Sequence, residues 1–393
     1  MRRAVVGGCA LGLATGWNIA NVGAIASDVA DAYGVGLAVV GVFTTALFVT
    51  HLAVQIPGGR ASDRFGARRA GLAALVVIMI GDALALIAPV PALAVGARAL
   101  TGVGTGVAFI SGSAYVRSSG GSPFAQGLFG GIGLAGGGVA LAVVPAVEGP
   151  LGWRSPFWTS LAVAAGALIL LAAAPADRAR TAPPRQQGVP RGVLGDRRLY
   201  RLAVLYAASL GLSLVVANWV VELLERTADA EKGAAGVVGG LALLLGVITR
   251  PLGGWILREH PERVRVSVGA SLAAGAAGTA LLVVGAPLAL AAVGGALLGL
   301  AAGIPFSPAF TGAALVRPDA PAAAVGLVNG SASVVALVLT PLLGLTFSLP
   351  GDGRIGFAVL AALWLVALAL LPSRSDLGVR SAPEPRCCAR ESA

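Results

Sequence analysis

Charge is scarce in this sequence: Asp, Glu, Lys and Arg make up 12% of its 393 residues, about half the ~25% of an ordinary soluble domain. With 56% of the residues hydrophobic, a soluble globular chain is excluded and a polytopic protein of the lipid bilayer remains. Histidine, with 2 residues, and cysteine, with 3, are nearly missing. Cys9 sits in an apolar run and Cys387 and Cys388 in the tail, without metal-ligand spacing or a neighbouring acid or His cluster. That leaves no metal site, disulfide framework or catalytic thiol. Also absent are Gly-x-Ser-x-Gly, His-Glu-x-x-His and a phosphate-cradling Gly-Lys-Ser/Thr run, so membrane hydrolysis and ATP-driven transport have no supporting residues. The chain reads as no enzyme and implies no cofactor.

Glycine, by contrast, is abundant: its 57 residues are about twice the ~7% share usual in proteins and suit close helix-on-helix packing. The net charge of +10 would suggest nucleic acid as the partner of a soluble chain. Here the basic residues gather in the loops of one side, so that reading lapses. Arg2-Arg3 before an apolar run has the start of a signal peptide, yet the run continues through Trp17, Asn18 and Asn21 without a cleavage site. It is expected to stay as the first helix.

Apolar segments of spanning length are expected at 4–25, 35–57, 70–89, 92–115, 123–145, 155–174, 199–224, 234–257, 264–285, 287–314, 322–346 and 355–371, which makes twelve helices. Arginines cluster at the N-terminus, in the 57–70 loop, at Arg117, in 175–201, in 258–265, at Arg317 and in the tail. The opposite side holds only Arg154, Arg226, Lys232 and Arg354. By this asymmetry both termini are cytoplasmic in the inner (plasma) membrane. The Pro- and Arg-rich stretch 175–198 reads as a solvated linker between an N-terminal bundle, 1–174, and a C-terminal one, 199–371, with 372–393 as a tail.

The two halves look like repeats. Gln55-Ile-Pro-Gly-Gly59 corresponds to Arg250-Pro-Leu-Gly-Gly254, Gly106-Val-Ala-Phe109 to Gly303-Ile-Pro-Phe306, and Ala125-Gln-Gly-Leu-Phe-Gly-Gly131 to Ala324-Val-Gly-Leu-Val-Asn-Gly330. Three pairs in one order at nearly constant offset argue for duplication.

The stretch Pro57–Ala70 cannot enter hydrocarbon, because it holds Arg60, Arg64, Arg68, Arg69 and Asp63, so a tight loop at one membrane face is expected. Its pattern Gly59-x-x-x-Asp63-Arg64-x-Gly66-x-Arg68-Arg69 resembles the loop signature of the major facilitator superfamily between its second and third helices. The resemblance implies an all-α membrane protein of twelve transmembrane helices in two six-helix repeats, working as a secondary transporter. It also implies that Asp63, with Arg64 and Arg68 as partners, latches the two halves in the outward-open state. Asp63→Asn is then expected to slow turnover and shift the halves apart while leaving solute affinity within a few-fold, measured as transport rate against binding. Arg98-Ala-Leu-Thr-Gly102-Val-Gly104 resembles a second signature of the superfamily, whose arginine is linked to proton coupling.

Ionisable residues inside spans point to pathways, relays or paired contacts, and the candidates are His51, Asp82, Arg98, Glu222 and Arg250. Asp82 and Arg98 lie at similar depth on neighbouring antiparallel helices, so they can pair. The pair is either a proton relay or a structural strut. His51 and Gln55, at i and i+4, share a face that either lines the pathway and takes part in coupling or bonds a neighbouring helix. Arg250 opens the run RPLGGW, which is similar to a run in nitrate and nitrite porters where the arginine holds the anion. Where those porters carry a second arginine this chain has Gln55, and its glycine-rich fifth helix has no asparagine, so the likeness implies an anion site without specifying nitrate. The other reading of Arg250 is a contact with helix-end carbonyls or between the two halves. Trp17, Asn18 and Asn21 in the first helix, Asn218 in the seventh and Asn329 in the eleventh are further candidates to bind a small polar solute.

The sequence thus leads to a monomeric secondary transporter that moves a small polar or anionic solute by alternating access, coupled to protons. A drug or metabolite efflux pump of the same superfamily and a non-transporting membrane sensor are the alternatives.

Overall fold

Long apolar runs can satisfy their backbone in hydrocarbon only as helices or a closed barrel, and this chain, rich in Ala, Leu and Gly, takes the helical solution. The computed structural model describes residues 2–119, 123–176, 195–284, 287–318 and 321–379. Among them there are helices and turns and no strand. The helices of the first half are α1 (Arg2–Ala20), α2 (Ala26–Tyr33), α3 (Leu37–Ala53), α4 (Gln55–Phe65), α5 (Ala67–Ala85), α6 (Pro91–Ser118), α7 (Pro123–Ala146), the short α8 (Glu148–Leu151) and α9 (Ser155–Ala172). Those of the second half are α10 (Arg197–Tyr206), α11 (Ser213–Ala228), α12 (Lys232–Leu244), α13 (Gly246–Glu259), α14 (Val264–Val283), α15 (Leu288–Gly303), α16 (Phe306–Val316), α17 (Pro321–Thr346) and α18 (Arg354–Ala369).

Helix occupies each of the twelve stretches expected from the sequence. By length and composition, eight helices among the described residues can cross a membrane, or nine if the pair α1 and α2, bent by 41°, is one span. Two other apolar helices, α3 and α18, are shorter, and α5 begins with Arg68 and Arg69 in its first turn. The 175–198 linker and the tail with Cys387 and Cys388 fall mostly outside the described residues.

Several rods are broken where the sequence withholds a regular ladder. Pro305, between α15 and α16, has no backbone N–H to give. A π-helical turn, Ala207–Leu212, joins α10 to α11, a feature frequent at functional sites. The first helix was expected to end at residue 25, before Ser27, Asp28 and Asp31. Instead it bends and continues as α2, where Ser27 gives its hydroxyl hydrogen to the Glu222 carboxylate, with Oγ 2.8 and 2.7 Å from its two oxygens, and Asp28 pairs with Lys232.

Chain direction puts Arg2, the α4–α5 turn, Arg197 and Glu259 at one end of the bundle, the arginine-rich end. The α2–α3 and α11–α12 connections lie at the other, the far end. The α4–α5 turn is made at Gly66, whose φ of 91° excludes most side chains. Within the first half α1 packs on α6, α7 and α9, α5 on α6 and α9, and α3 on α6. Within the second, α14 packs on α15 and α18, and α12 on α15. The halves meet through α3 against α17 and α7 against α12 and α13. At the far end this seam is drawn tight: Lys232 reaches Asp28 and Glu148 (3.3 Å), and Gly236 lies so close to α7 that a Cβ would fall 1.9 Å from the carbonyl oxygen of Leu141.

Candidate functional site

Between the halves, about midway along the helices, lies a cavity of about 70 Å³. That is room for about five water-sized bodies, so in this conformation it suits a small solute and not a drug-sized one. Its walls are apolar and glycine-rich: Gly12 and Gly16 of α1 face Gly130, Gly133 and Gly137 of α7. Into this lining project Arg250, His51, Tyr206, Asn329 and Ser333, with no carboxylate among the lining residues.

Arg250 is 4% exposed. Its Nη1 donates to the carbonyl of Gly130 across the seam (2.9 Å), and its guanidinium lies over the Phe306 ring, 4.4 Å from the centroid, a favourable placement for a cation. Among the described residues, Nε is buried without a hydrogen bond and no acid lies within ion-pair distance of the side chain. Phe306 is held by Phe310 (4.6 Å between centroids), which in turn packs against Tyr206 (5.0 Å). Below the cavity Arg250 also borders a wider cleft of about 610 Å³ that runs past Trp255 and Ser307 to Arg258. Gln55, at the corresponding position of the first half, has its Nε2 buried without a partner as well.

His51, on α3, is 6% exposed and sits between Phe48 and Phe109 (6.3 and 6.4 Å between centroids), with Nδ1 3.0 Å from Thr105 Oγ1.

The structure does not bring the other solute-binding candidates to this cavity. Trp17 Nε1 donates to Thr159 Oγ1 (3.2 Å). Asn18 Nδ2 donates to the Ala14 carbonyl (3.1 Å) and Asn21 Nδ2 to that of Pro156 (3.0 Å). Asn218 Nδ2 is held by the Leu214 carbonyl (2.8 Å), and its Oδ1 faces Thr44 (3.5 Å) across the seam. Their polar atoms are spent on helix packing above the cavity, as buried amides must be.

Asp82 and Arg98, both fully buried, do not form the expected contact ion pair. Asp82 accepts from Ser160 and, at 3.5 Å, from Thr101. Arg98 turns instead to α1, giving Nη2 to the Asn18 carbonyl (2.5 Å) and Nη1 to the side-chain oxygens of Asn18 and Asn21 (3.5 Å each). Hydroxyls and amides thus solvate each charge separately.

In the 57–70 stretch, Arg68 holds the end of α9 by donating to the carbonyls of Leu171 (3.0 Å) and Ala172. Arg64 lies over the Phe65 ring (5.2 Å), and Gly59 leaves ordinary contact space beside Ile110. The side chain of Asp63 lies outside the described residues.

A sequence profile described as Major Facilitator Superfamily matches residues 6–341. The chain belongs to that superfamily. It is therefore a multi-pass membrane transporter of small solutes rather than an enzyme. A relative, the probable sulfoacetate transporter SauU of Cupriavidus necator, is 24% identical over 287 residues, 67% of each chain. The superfamily fold is shared with two solved structures. The nucleoside transporter NupG, as a D323A mutant, gives a TM-score of 0.72 at 12% identity, over 93% of this chain and 98% of that one. The human organic anion transporter MFSD10 gives 0.66 at 18% identity, over 94% and 99%.

Sequence reasoning found Arg250, His51 and Asn329 but missed Tyr206 as a lining residue. Its signal was weak: it precedes the π turn, and nothing in Tyr206-Ala-Ala-Ser-Leu-Gly-Leu212 announces one.

Proposed function

We propose that this protein is a secondary transporter of a small organic anion, working by alternating access with twelve spans in two six-helix bundles, both termini cytoplasmic, and protons as the coupling ion. The observation that carries the reading is Arg250: among the described residues it is a buried cation with an unpartnered N–H, bordering a cavity with no carboxylate in its lining. A buried charge without a counter-charge is costly. An anionic solute meets that cost during part of the cycle and takes the geometry for which arginine is suited. The relative named for sulfoacetate, a molecule with a sulfonate and a carboxylate, points to the same class.

The test is uptake into proteoliposomes of sulfoacetate, other short sulfonates and carboxylates, a nucleoside and a cationic drug. Saturable flux of one or more of the small anions is expected. Flux confined to the nucleoside or the drug contradicts the proposal, and no flux under any gradient favours the sensor.

A further inference from the structure

Resting on the anion reading above, we infer that His51 carries the proton that accompanies the solute, and that it does so on Nε2. A threonine hydroxyl has one hydrogen to give. Thr105 Oγ1 gives it to the carbonyl of Gly102 (3.1 Å), so toward His51 Nδ1, 3.0 Å away, it acts as the acceptor. Nδ1 therefore bears the ring hydrogen, and in the neutral ring the lone pair sits on Nε2. Among the described residues Nε2 has no hydrogen-bond partner; it is not among the sealed orphan atoms and belongs to a ring that borders the cavity. The fold has thus fixed one nitrogen and left the other as an open base beside the solute space.

The electrostatic surroundings link that base to an anion. Across the cavity stand Arg250 of α13 and Tyr206 of α10. On α6 the ionisable groups are Arg98, turned away onto Asn18, and, near the arginine-rich end, Tyr115 and Arg117. The described part of α17 presents amide and hydroxyl groups, Asn329 and Ser333, and no acid or base. Of the other elements packed on α3, α2 carries Asp28, Asp31 and Tyr33 at the far end, and α4 carries Arg60, Asp63 and Arg64 at the arginine-rich end. In the empty cavity a proton on Nε2 would place a second cation in the space served by Arg250, which is unfavourable in a medium of low polarity. An anion between them removes that repulsion, so proton and solute each favour the binding of the other.

The step makes and breaks only an N–H bond. Water on the acidic side supplies the proton, which joins the Nε2 lone pair. The imidazolium then has one N–H held by Thr105 and one donating to the solute. When the solute leaves, the proton returns to water on the other side. Arg250 with a protonated His51 presents two positive ends, which fits a solute with two acidic groups better than one.

His51→Asn separates the functions, because its amide can keep an N–H near the Nδ1 position while offering no base at Nε2. Proton uptake on addition of sulfoacetate is measured in weakly buffered purified protein, beside uphill uptake into vesicles with the membrane potential clamped at zero. Wild type is expected to take up about one proton per solute bound and, under a gradient of one pH unit, to accumulate solute about tenfold. His51→Asn should still bind, with weakened affinity, and exchange solute across the membrane, but take up no proton and accumulate to no more than the outside concentration.

Proton uptake or uphill accumulation persisting in His51→Asn overturns the assignment. So does loss of binding and exchange together in that variant, which would make His51 a solute ligand only, and so does wild-type binding without proton uptake. Failure of the wild type to bind or move any small anion strikes the proposed function instead.

Discussion

Arg250→Gln is expected to abolish anion transport, and Arg250→Lys to retain only a weak activity. Glutamine removes the positive charge that Arg250 brings to the cavity, while lysine keeps the charge and loses both the planar stack on Phe306 and the forked donor set. Losing a hydrogen-bonded charge of this kind costs about 3 kcal/mol, about a hundredfold in affinity. Initial uptake of the transported anion in proteoliposomes checks it, with folded yield compared by size-exclusion profile. Uptake by Arg250→Gln at the wild-type rate returns Arg250 to a structural role, holding the Gly130 carbonyl and the Phe306 face.

Gly236→Val should force the far end open. A Cβ at Gly236 would stand 1.9 Å from the carbonyl oxygen and 2.9 Å from the carbonyl carbon of Leu141. Both are backbone atoms and cannot swing aside, so α12 and α7 must separate. Overpacking of this sort costs about 1–3 kcal/mol, enough to move a two-state equilibrium by about five- to 150-fold. In the proposed alternating-access cycle, the seam above the cavity is where the halves part for the solute to pass.

The check is labelling by a membrane-impermeant maleimide at Thr44→Cys, a position 2% exposed at this seam, in a background without the native cysteines. Gly236→Val should raise the labelling rate about tenfold or more and lower transport. Unchanged labelling with full transport would mean that the far end does not open along this seam.

Much of the fold was legible because hydrocarbon leaves the backbone few choices: apolar runs and the arginine-rich turn at Gly66 marked helices and their ends. Arg250, which borders the cavity, stood out for the same reason, since an arginine in an apolar run is costly to bury. Asn18, Asn21 and Asn218 misled because an amide in a span needs a partner of any kind, and here the partners are carbonyls of the same or a neighbouring helix. The Asp82–Arg98 pairing was read from equal depth. Depth fixes height and not the direction in which a side chain turns, and Arg98 turned toward α1. Two features were out of reach of a linear reading. The break at the Ala207–Leu212 π turn carries no residue signature, and the hydrogen-bond order from Gly102 through Thr105 to His51 joins two helices whose contact the sequence does not state.

Ligand-dependent thermal stability of the purified protein, measured for wild type and Arg250→Gln over small sulfonates and carboxylates, sugars, nucleosides and cationic drugs, tests the central claim most directly. A solute that binds the folded state stabilises it by about 2.7 kcal/mol at a hundred times its dissociation constant, which is read as a rise in melting temperature. A rise with one or more small organic anions, absent in Arg250→Gln, is the expected result. Stabilisation by a sugar, nucleoside or cationic drug alone, or an equal rise in Arg250→Gln, would contradict an anion site at Arg250.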